Sequence, residues 1–188
     1  MRFHRSRKAR FICLVVSGVI LGIVGYRLPF LNWRRTVSPL EADLLVVRFD
    51  GKGDGRFLAP RNGGRRHRGI DLAAAVGGPV YAIRSGRVRE VGTDLGLGKF
   101  VSLKHDGTLS SLYAHLDTLL VTDGQRVRQG QKIGTVGKTG NARHPVIQPH
   151  LHLEVMQRDQ RINPAQLGLE IVDASSSKTQ TSAPSTSN

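Results

Sequence analysis

The sequence predicts an all-β fold, mainly antiparallel sheet, preceded by one N-terminal membrane-anchor helix. Three observations lead there. Short runs of alternating apolar residues fill the chain from Val46 to Ile171, and each is bounded by turn residues. Twenty-two glycines and 8 prolines supply many tight turns, favouring strands over a helical bundle. The one long uncharged apolar run, Phe11–Tyr26, lies near the N-terminus. The 188 residues leave room for one ordinary domain plus short appendages. With 39% hydrophobic and only 5% aromatic residues, the core must be aliphatic.

Residues 1–10 read as a basic cytoplasmic stub and residues 11–31 as an uncleaved signal anchor. The apolar run is longer than a signal-peptide core and just short of a comfortable transmembrane helix, and Leu28, Phe30, Leu31 and Trp33 extend it toward an interface. No Ala-x-Ala cleavage site follows. Five basic residues precede the run and three follow it, so the positive-inside rule leaves the N-terminus in the cytoplasm. The expected location is therefore the cytoplasmic membrane, single-pass, with an extracytoplasmic (periplasmic) domain, or secretion if the segment is cleaved. Cys13 follows Arg10-Phe11-Ile12, which lacks the small residues of a lipidation site, and a lone cysteine excludes an internal disulfide framework.

Residues 32–45 read as a linker and 46–171 as the folded domain. Within it, Pro79–Arg84 and Arg87–Val91 are joined through Ser85-Gly86. Phe100–Lys104 turns at His105-Asp106-Gly107 into Leu109–His115, a strong hairpin signal. Val127–Val136 and His150–Met156 supply further strands, and a short helical turn starts near Pro164. No exact repeat is present, although Gly86–Gly92 and Gly124–Gly130 share a loose glycine-valine-glycine spacing. Residues 172–188, mostly Ser and Thr, bury too little apolar surface to offset the entropy of ordering and are expected to be disordered.

The net charge of +14 is unevenly spread. Residues 1–35 hold eight basic and no acidic residues, leaving twenty basic against fourteen acidic over the rest. This mildly basic body with few rings for stacking excludes nucleic acid as a partner despite a pI near 11.2. Three histidine clusters carry the chemistry. His67 and Asp71 stand four apart and share a face in either a strand or a helical turn. Tyr113-Ala114-His115 ends a strand. His150, His152 and Glu154 project from one side of a strand whose other side is aliphatic, with Glu154 read as a surface carboxylate or an outer partner of the site. A hydrolytic zinc site needs three N/O ligands and an open position, with a base beside it. Two histidines and an aspartate supply such a set and leave two histidines over.

The segments HRGIDLAA (His67–Ala74), GKFVSLKHDGTLSSLYAHL (Gly98–Leu116), VTDGQRVRQGQKIGTVGKTGNA (Val121–Ala142) and PHLHLEV (Pro149–Val155) resemble, in order, the M23 family of zinc metallopeptidases. These are the lysostaphin-like and LytM-like peptidoglycan endopeptidases. The resemblance runs from about Arg56 to Asn163. It implies a lysostaphin-type antiparallel fold with a duplicated hybrid motif. It also implies one Zn2+ per chain, bound by His67, Asp71 and His152, with His115 and His150 as catalytic groups flanking the attacking water and the developing oxyanion. The implied activity is hydrolysis of peptidoglycan peptide cross-links; the apolar N-terminal segment separately makes the inner membrane an expected partner. The alternative is a catalytically silent module that binds and activates another wall hydrolase, its regulatory partner. Two departures from the family stand out. The stretch Thr139–Gln148 is longer than usual, which bears on substrate choice. A tyrosine often found before the first ligand histidine is missing from Arg61–Arg66, and Arg65 or Arg66 is a candidate replacement at the oxyanion. The Val121–Gly137 pattern also resembles biotinyl and lipoyl carrier hairpins, but it lacks their lysine at the hairpin tip.

Overall fold

Thirteen strands lie among the residues described by the computed structural model, which are 28–174 and, ahead of them, Val16, Ser17, Val19, Ile20, Gly22 and Gly25. They are β1 (Leu45–Val47), β2 (Phe49–Asp50), β3 (Gly53–Asp54), β4 (Ile70–Ala73), β5 (Pro79–Tyr81), β6 (Gly86–Asp94) and β7 (Gly98–His105). The rest are β8 (Leu109–Leu119), β9 (Arg126–Val127), β10 (Lys132–Val136), β11 (His150–Gln157), β12 (Gln160–Ile162) and β13 (Ile171–Asp173). Eleven form one sheet, with the path β13-β1-β4-β11-β8-β7-β6-β9; β12 adds to β11, β10 joins β8, and β5 pairs with β10. β2 and β3 form a separate small hairpin. Every pairing is antiparallel except β1 with β13. The predicted antiparallel β fold is therefore observed, with one parallel pair added at an edge.

The first 31 residues form a unit of their own. Its six described residues before residue 28 are helical, and Leu28–Phe30 is a single 3-10 turn. No helix among the described residues is long and apolar enough to cross a membrane, so the expected anchor helix has no support here. Most of the 11–31 segment, like residues 175–188 of the tail, lies outside the described residues.

In the second unit, residues 32–44 hold no helix or strand but lie against the sheet. Asn32 Oδ1 accepts from Ser85 N at 2.7 Å, the Gln129 side chain bonds Arg34 N and O at 3.1 and 3.0 Å, and Leu40 is buried in the core. The predicted Val127–Val136 strand is split into β9 and β10 by a turn in which Gln131 N bonds Arg128 O at 3.0 Å and Gly130 takes a φ of +74°. The turn near Pro164 is a 3-10 helix, Pro164–Leu167, whose first turn is capped by Asn163 Oδ1 accepting from Ala165 N at 3.1 Å.

Central strand β11 is covered on both faces over His150–Val155, and β8 over Tyr113–Leu116. From β11, Leu151, Leu153 and Val155 enter the aliphatic core with Leu72, Val101, Leu103, Leu116 and Ile133, each side chain contributing roughly 1.5–3 kcal/mol. The alternate residues His150, His152 and Glu154 are also buried, on the opposite face. Tyr113, fully buried, takes a bond from Ile83 N at 3.0 Å and lies 3.0 Å from Ser111 Oγ, which is 2.8 Å from His105 Nε2. His105 Nδ1 donates to Ser85 O at 3.1 Å.

This polar cluster carries a pH signature. Burial pushes the His105 pKa down to about 4, against a smaller opposing effect of the bond to Ser85. As pH falls below the usual histidine value near 6.5, the unfolded chain takes up a proton that the folded chain refuses until about pH 4. Urea unfolding is expected to show stability falling by about 3 kcal/mol across that window through His105. His105→Gln should flatten the profile by that amount. An unchanged pH dependence in the variant would remove His105 as its source.

Candidate metal centre

β11 lies between β4 and β8, and this order assembles the site. In register, His152 pairs with Asp71 on one side and with Ala114 on the other, while His150 faces Ala73. Asp71 and His152 therefore meet across one ladder, and His115 follows one residue past the end of the other. β8 pairs with β11 through Ala114 and with β10 from Leu116 onward. His115 is the residue at which the strand changes partners. Opposite it, β7 gives one residue, Phe100, against two on β8, which is a β-bulge. His115 accordingly has a φ of +61°, in the left-handed region that a non-glycine residue enters at a cost.

The long loop after β10 seals that bulge. Thr139 Oγ1 donates to Leu116 O at 2.9 Å and accepts from Lys99 N at 3.0 Å, so one side chain serves two backbone groups. Thr139 O accepts from His115 Nδ1 at 2.9 Å. Gly140, at φ +60°, lets the loop lie directly on the backbone of Gly96 and Gly98, where a Cβ would collide.

His67 arrives differently, at the end of an excursion over residues 56–66. Two backbone bonds close it: Leu58 N to His67 O at 3.0 Å and His67 N to Ala59 O at 2.9 Å. Gly69, between His67 and Asp71, lies so close to Leu153 O that no larger residue fits.

The five expected residues converge. His67 Nε2, Asp71 Oδ1 and His152 Nδ1 lie within 4.8 Å of one another, an arrangement able to hold a metal ion. The contacts are His152 Nδ1 to Asp71 Oδ1 at 2.8 Å, His67 Nε2 to Asp71 Oδ1 at 3.1 Å and His67 Nε2 to His152 Nδ1 at 3.1 Å. The His115 and His150 rings meet edge to face at 4.9 Å, and His115 lies 5.8 Å from His152.

Each imidazole is pinned by its outer nitrogen. His67 Nδ1 donates to Arg56 O at 2.8 Å, His150 Nδ1 to Gln148 O at 2.7 Å and His115 Nδ1 to Thr139 O. A carbonyl oxygen only accepts, so these Nδ1 atoms carry hydrogen and each Nε2 presents a lone pair inward. His152 is turned over: its Nε2 donates to Glu154 Oε1 at 3.3 Å, leaving Nδ1 toward Asp71. Glu154 is 8% exposed and takes a second bond from Arg161 Nε at 3.1 Å, so it is an outer partner of the site and not a surface carboxylate. Sequence reasoning underrated it because a strand carboxylate is solvated unless another strand covers it, and β12, which brings Arg161, was not foreseen.

Arg65 and Arg66 are exposed, and their side chains bond Asn62 O and Leu58 O rather than any of the five site residues. A cation that does reach the site is Arg48, 5% exposed, with Nη2 2.9 Å from Asp71 Oδ2. The signal was the Arg-Phe-Asp spacing at residues 48–50, which places Arg48 and Asp50 on one side of an extended chain.

Burial opposes charge on Asp71, yet the bond from His152 and the neighbouring His67 imidazole outweigh it and hold the carboxyl well below the usual range. For His152, burial is likewise outweighed by Asp71 and Glu154, and the pKa is held up at about 9. His115 moves the other way, down to about 3, through burial and then repulsion from His150 and His152. Burial also lowers His150.

The left-handed backbone at His115 reverses an ordinary preference. Glycine weakens a strand relative to alanine, but at a φ of +61° alanine is the strained residue. His115→Gly should be more stable than His115→Ala by about 1 kcal/mol in urea unfolding. Greater stability of the alanine variant would mean that β8 relaxes to ordinary strand geometry there.

Residues 65–164 match Peptidase family M23. Over 116 residues the chain is 36% identical to the peptidoglycan DD-endopeptidase ShyB of Vibrio cholerae, covering 62% of this chain and 26% of that protein. It is 37% identical over 116 residues to the murein hydrolase activator NlpD of Escherichia coli, covering 61% and 28%. The chain thus spans little more than a quarter of the length of either relative. Among solved structures it resembles the catalytic domain of the antimicrobial peptidase lysostaphin from Staphylococcus simulans, with a TM-score of 0.54, 34% identity, and coverage of 63% of this chain and 92% of that one. The matched segment is more than half of the chain and contains all five converging residues, and on that ground the protein belongs to peptidase family M23.

Proposed function

We propose that this chain is a zinc-dependent endopeptidase that hydrolyses the peptide cross-links of bacterial peptidoglycan. The observation that carries the reading is the set of four imidazoles around Asp71, each held from behind so that one nitrogen faces a shared centre. His67 Nε2, Asp71 Oδ1 and His152 Nδ1 are the ligands. Two nitrogens and one carboxylate oxygen, borderline and hard donors with no thiolate, fit Zn2+ and leave room for a fourth position. When bound, zinc supplies Lewis acidity, acidifying water toward neutrality and polarising the scissile carbonyl.

His115 and His150 are the catalytic pair. Both are neutral in the working pH range and both turn an Nε2 lone pair inward, so either can accept the proton of the attacking water. An imidazole that accepts at Nε2 becomes a donor at the same atom. It then faces the oxygen that gains charge and can return the proton to the leaving amine. Asp71 stays ionised throughout and offsets the positive charge of the centre. Residues 11–31 are proposed to hold the domain at the outer face of the cytoplasmic membrane, where peptidoglycan lies.

The second reading is the silent activator of another wall hydrolase, favoured by the likeness to NlpD, which is named a murein hydrolase activator. Intact ligands and an intact pair of inward-facing histidines favour the enzyme. Muropeptides released from purified peptidoglycan, analysed by mass spectrometry with and without chelator, separate the two. Chelator-sensitive cleavage of cross-links is the expected result. Absence of cleavage by the zinc-loaded chain, with stimulation of an added hydrolase, would establish the activator.

His152→Ala is expected to lose both bound zinc and turnover. His115→Ala should retain zinc by metal analysis while turnover falls at least 100-fold. Loss of zinc from the His115 variant would overturn the division of roles.

Zinc uptake should also be linked to pH. Below about pH 9 the metal-free His152 carries protons on both nitrogens, and its Nδ1 proton must leave before that atom can bind. Calorimetry at pH 7 in buffers of different ionisation enthalpy should count about one proton released per zinc from this residue, with affinity rising about tenfold per pH unit toward pH 9. Zinc binding without proton release would show that Nδ1 is already free.

A further inference from the structure

We infer that Arg48 and Asp50 form a positioning strap that ties the metal carboxylate to the catalytic imidazole of His150. The inference rests on the proposed roles of Asp71 and His150. The connection is an unbroken run of hydrogen bonds. Arg48 Nη2 donates to Asp71 Oδ2 at 2.9 Å, and Arg48 Nη1 donates to Asp50 Oδ2 at 2.6 Å. Asp50 Oδ2 also accepts from Gln148 N at 2.9 Å, and Gln148 O accepts from His150 Nδ1 at 2.7 Å. The strap leaves Asp71 Oδ1 free for the ion, because it takes only the outer oxygen.

Backbone contacts fix the strap at its base. Arg48 N donates to Asp71 O, Gly55 N to Arg48 O and Asp71 N to Gly55 O, each at 2.8 Å. The start of the β2–β3 hairpin is thereby laid against β4. Asp50 Oδ1 accepts from Lys52 N at 2.8 Å, which orients Oδ2 toward both Arg48 and Gln148. A planar guanidinium can bridge two carboxylates in fixed directions, which a lysine ammonium cannot reproduce. Arg48 is buried with its Nε unpartnered, an arrangement that costs stability and that a residue kept only for packing does not need. Arg61 also approaches Asp71 Oδ2, at 3.5 Å, but its Nη1 is held by Asp54 O at 2.7 Å and it makes no bond toward Gln148. Of these two arginines, Arg48 is the one that reaches both halves of the site.

The two members of the strap act on different atoms, so their variants should differ. Asp50 touches the loop before His150 and not the metal carboxylate. Asp50→Ala in the full chain should leave zinc affinity within about threefold, measured by competition with a chromophoric chelator, while kcat falls about tenfold with little change in KM. In imidazole-detected NMR, the His150 ring should shift from one fixed tautomer to an average of two, with His67 unchanged. Arg48→Lys acts on both ends. Zinc affinity should fall about 10–100-fold, the range seen when the outer partner of a ligand is lost, and the His150 signal should average as well. Asp50→Asn, which keeps shape and one acceptor, should lie between wild type and Asp50→Ala, and it serves if the alanine variant fails to fold.

An Asp50 variant with wild-type turnover and an unchanged His150 tautomer would overturn the strap. So would equal loss of zinc in the Asp50 and Arg48 variants, which would mark general unfolding of the hairpin. If the wild-type chain binds zinc yet cleaves no peptidoglycan, the enzyme reading fails, and the affinity and tautomer measurements still decide the strap.

Discussion

A neutral imidazole has one lone pair, and the group that accepts its hydrogen decides which nitrogen carries it. Everything in this site depends on that choice being made from outside. Arg56 O, Gln148 O and Thr139 O fix three rings with Nε2 inward, and Glu154 fixes the fourth with Nδ1 inward. Three of the four acceptors are backbone carbonyls in irregular segments, which helix or sheet ladders would otherwise consume. The loops around the sheet therefore set the chemistry as much as the strands that carry the histidines.

The sheet converts these local choices into one centre. β11 can present His152 to both neighbours only because β4 and β8 pair with it on opposite edges, with Asp71 and Ala114 level with the same residue. β8 must then leave β11 for β10, and the residue at that change of partner is His115. The unfavourable backbone of His115 is thus a consequence of topology, and it lifts the ring out of the ordinary alternation toward His150. Thr139 makes the bulge tolerable by bonding both backbone groups that the bulge exposes.

Much of this was legible in the residues. Alternation and glycine-bounded turns gave β6, β7, β8 and β11 within a few residues, and the histidine clusters named the five converging side chains. Strands β1 to β4, β12 and β13 were not legible, because two- to four-residue strands carry no period of their own and exist only through partners distant in sequence. The same blindness hid Arg48. Its spacing from Asp50 marks it only weakly among the arginines of a basic chain, and the approach of β1 to β4 is what puts it beside Asp71. Arg65 and Arg66 were plausible because they adjoin His67 in sequence, yet the excursion that carries His67 turns them to solvent.

The likeness to both an endopeptidase and an activator shows that this fold accommodates either role, so the side chains must decide. The central claim is about which atoms face the shared centre, and a diffraction experiment at the zinc absorption edge on crystals of the zinc-loaded chain addresses it directly. The account predicts one anomalous peak at bonding distance, about 2.0–2.2 Å, from His67 Nε2, Asp71 Oδ1 and His152 Nδ1, with the Nε2 atoms of His115 and His150 nearby but unbonded. A peak elsewhere, or one bonded through His152 Nε2 or through His115, would contradict it.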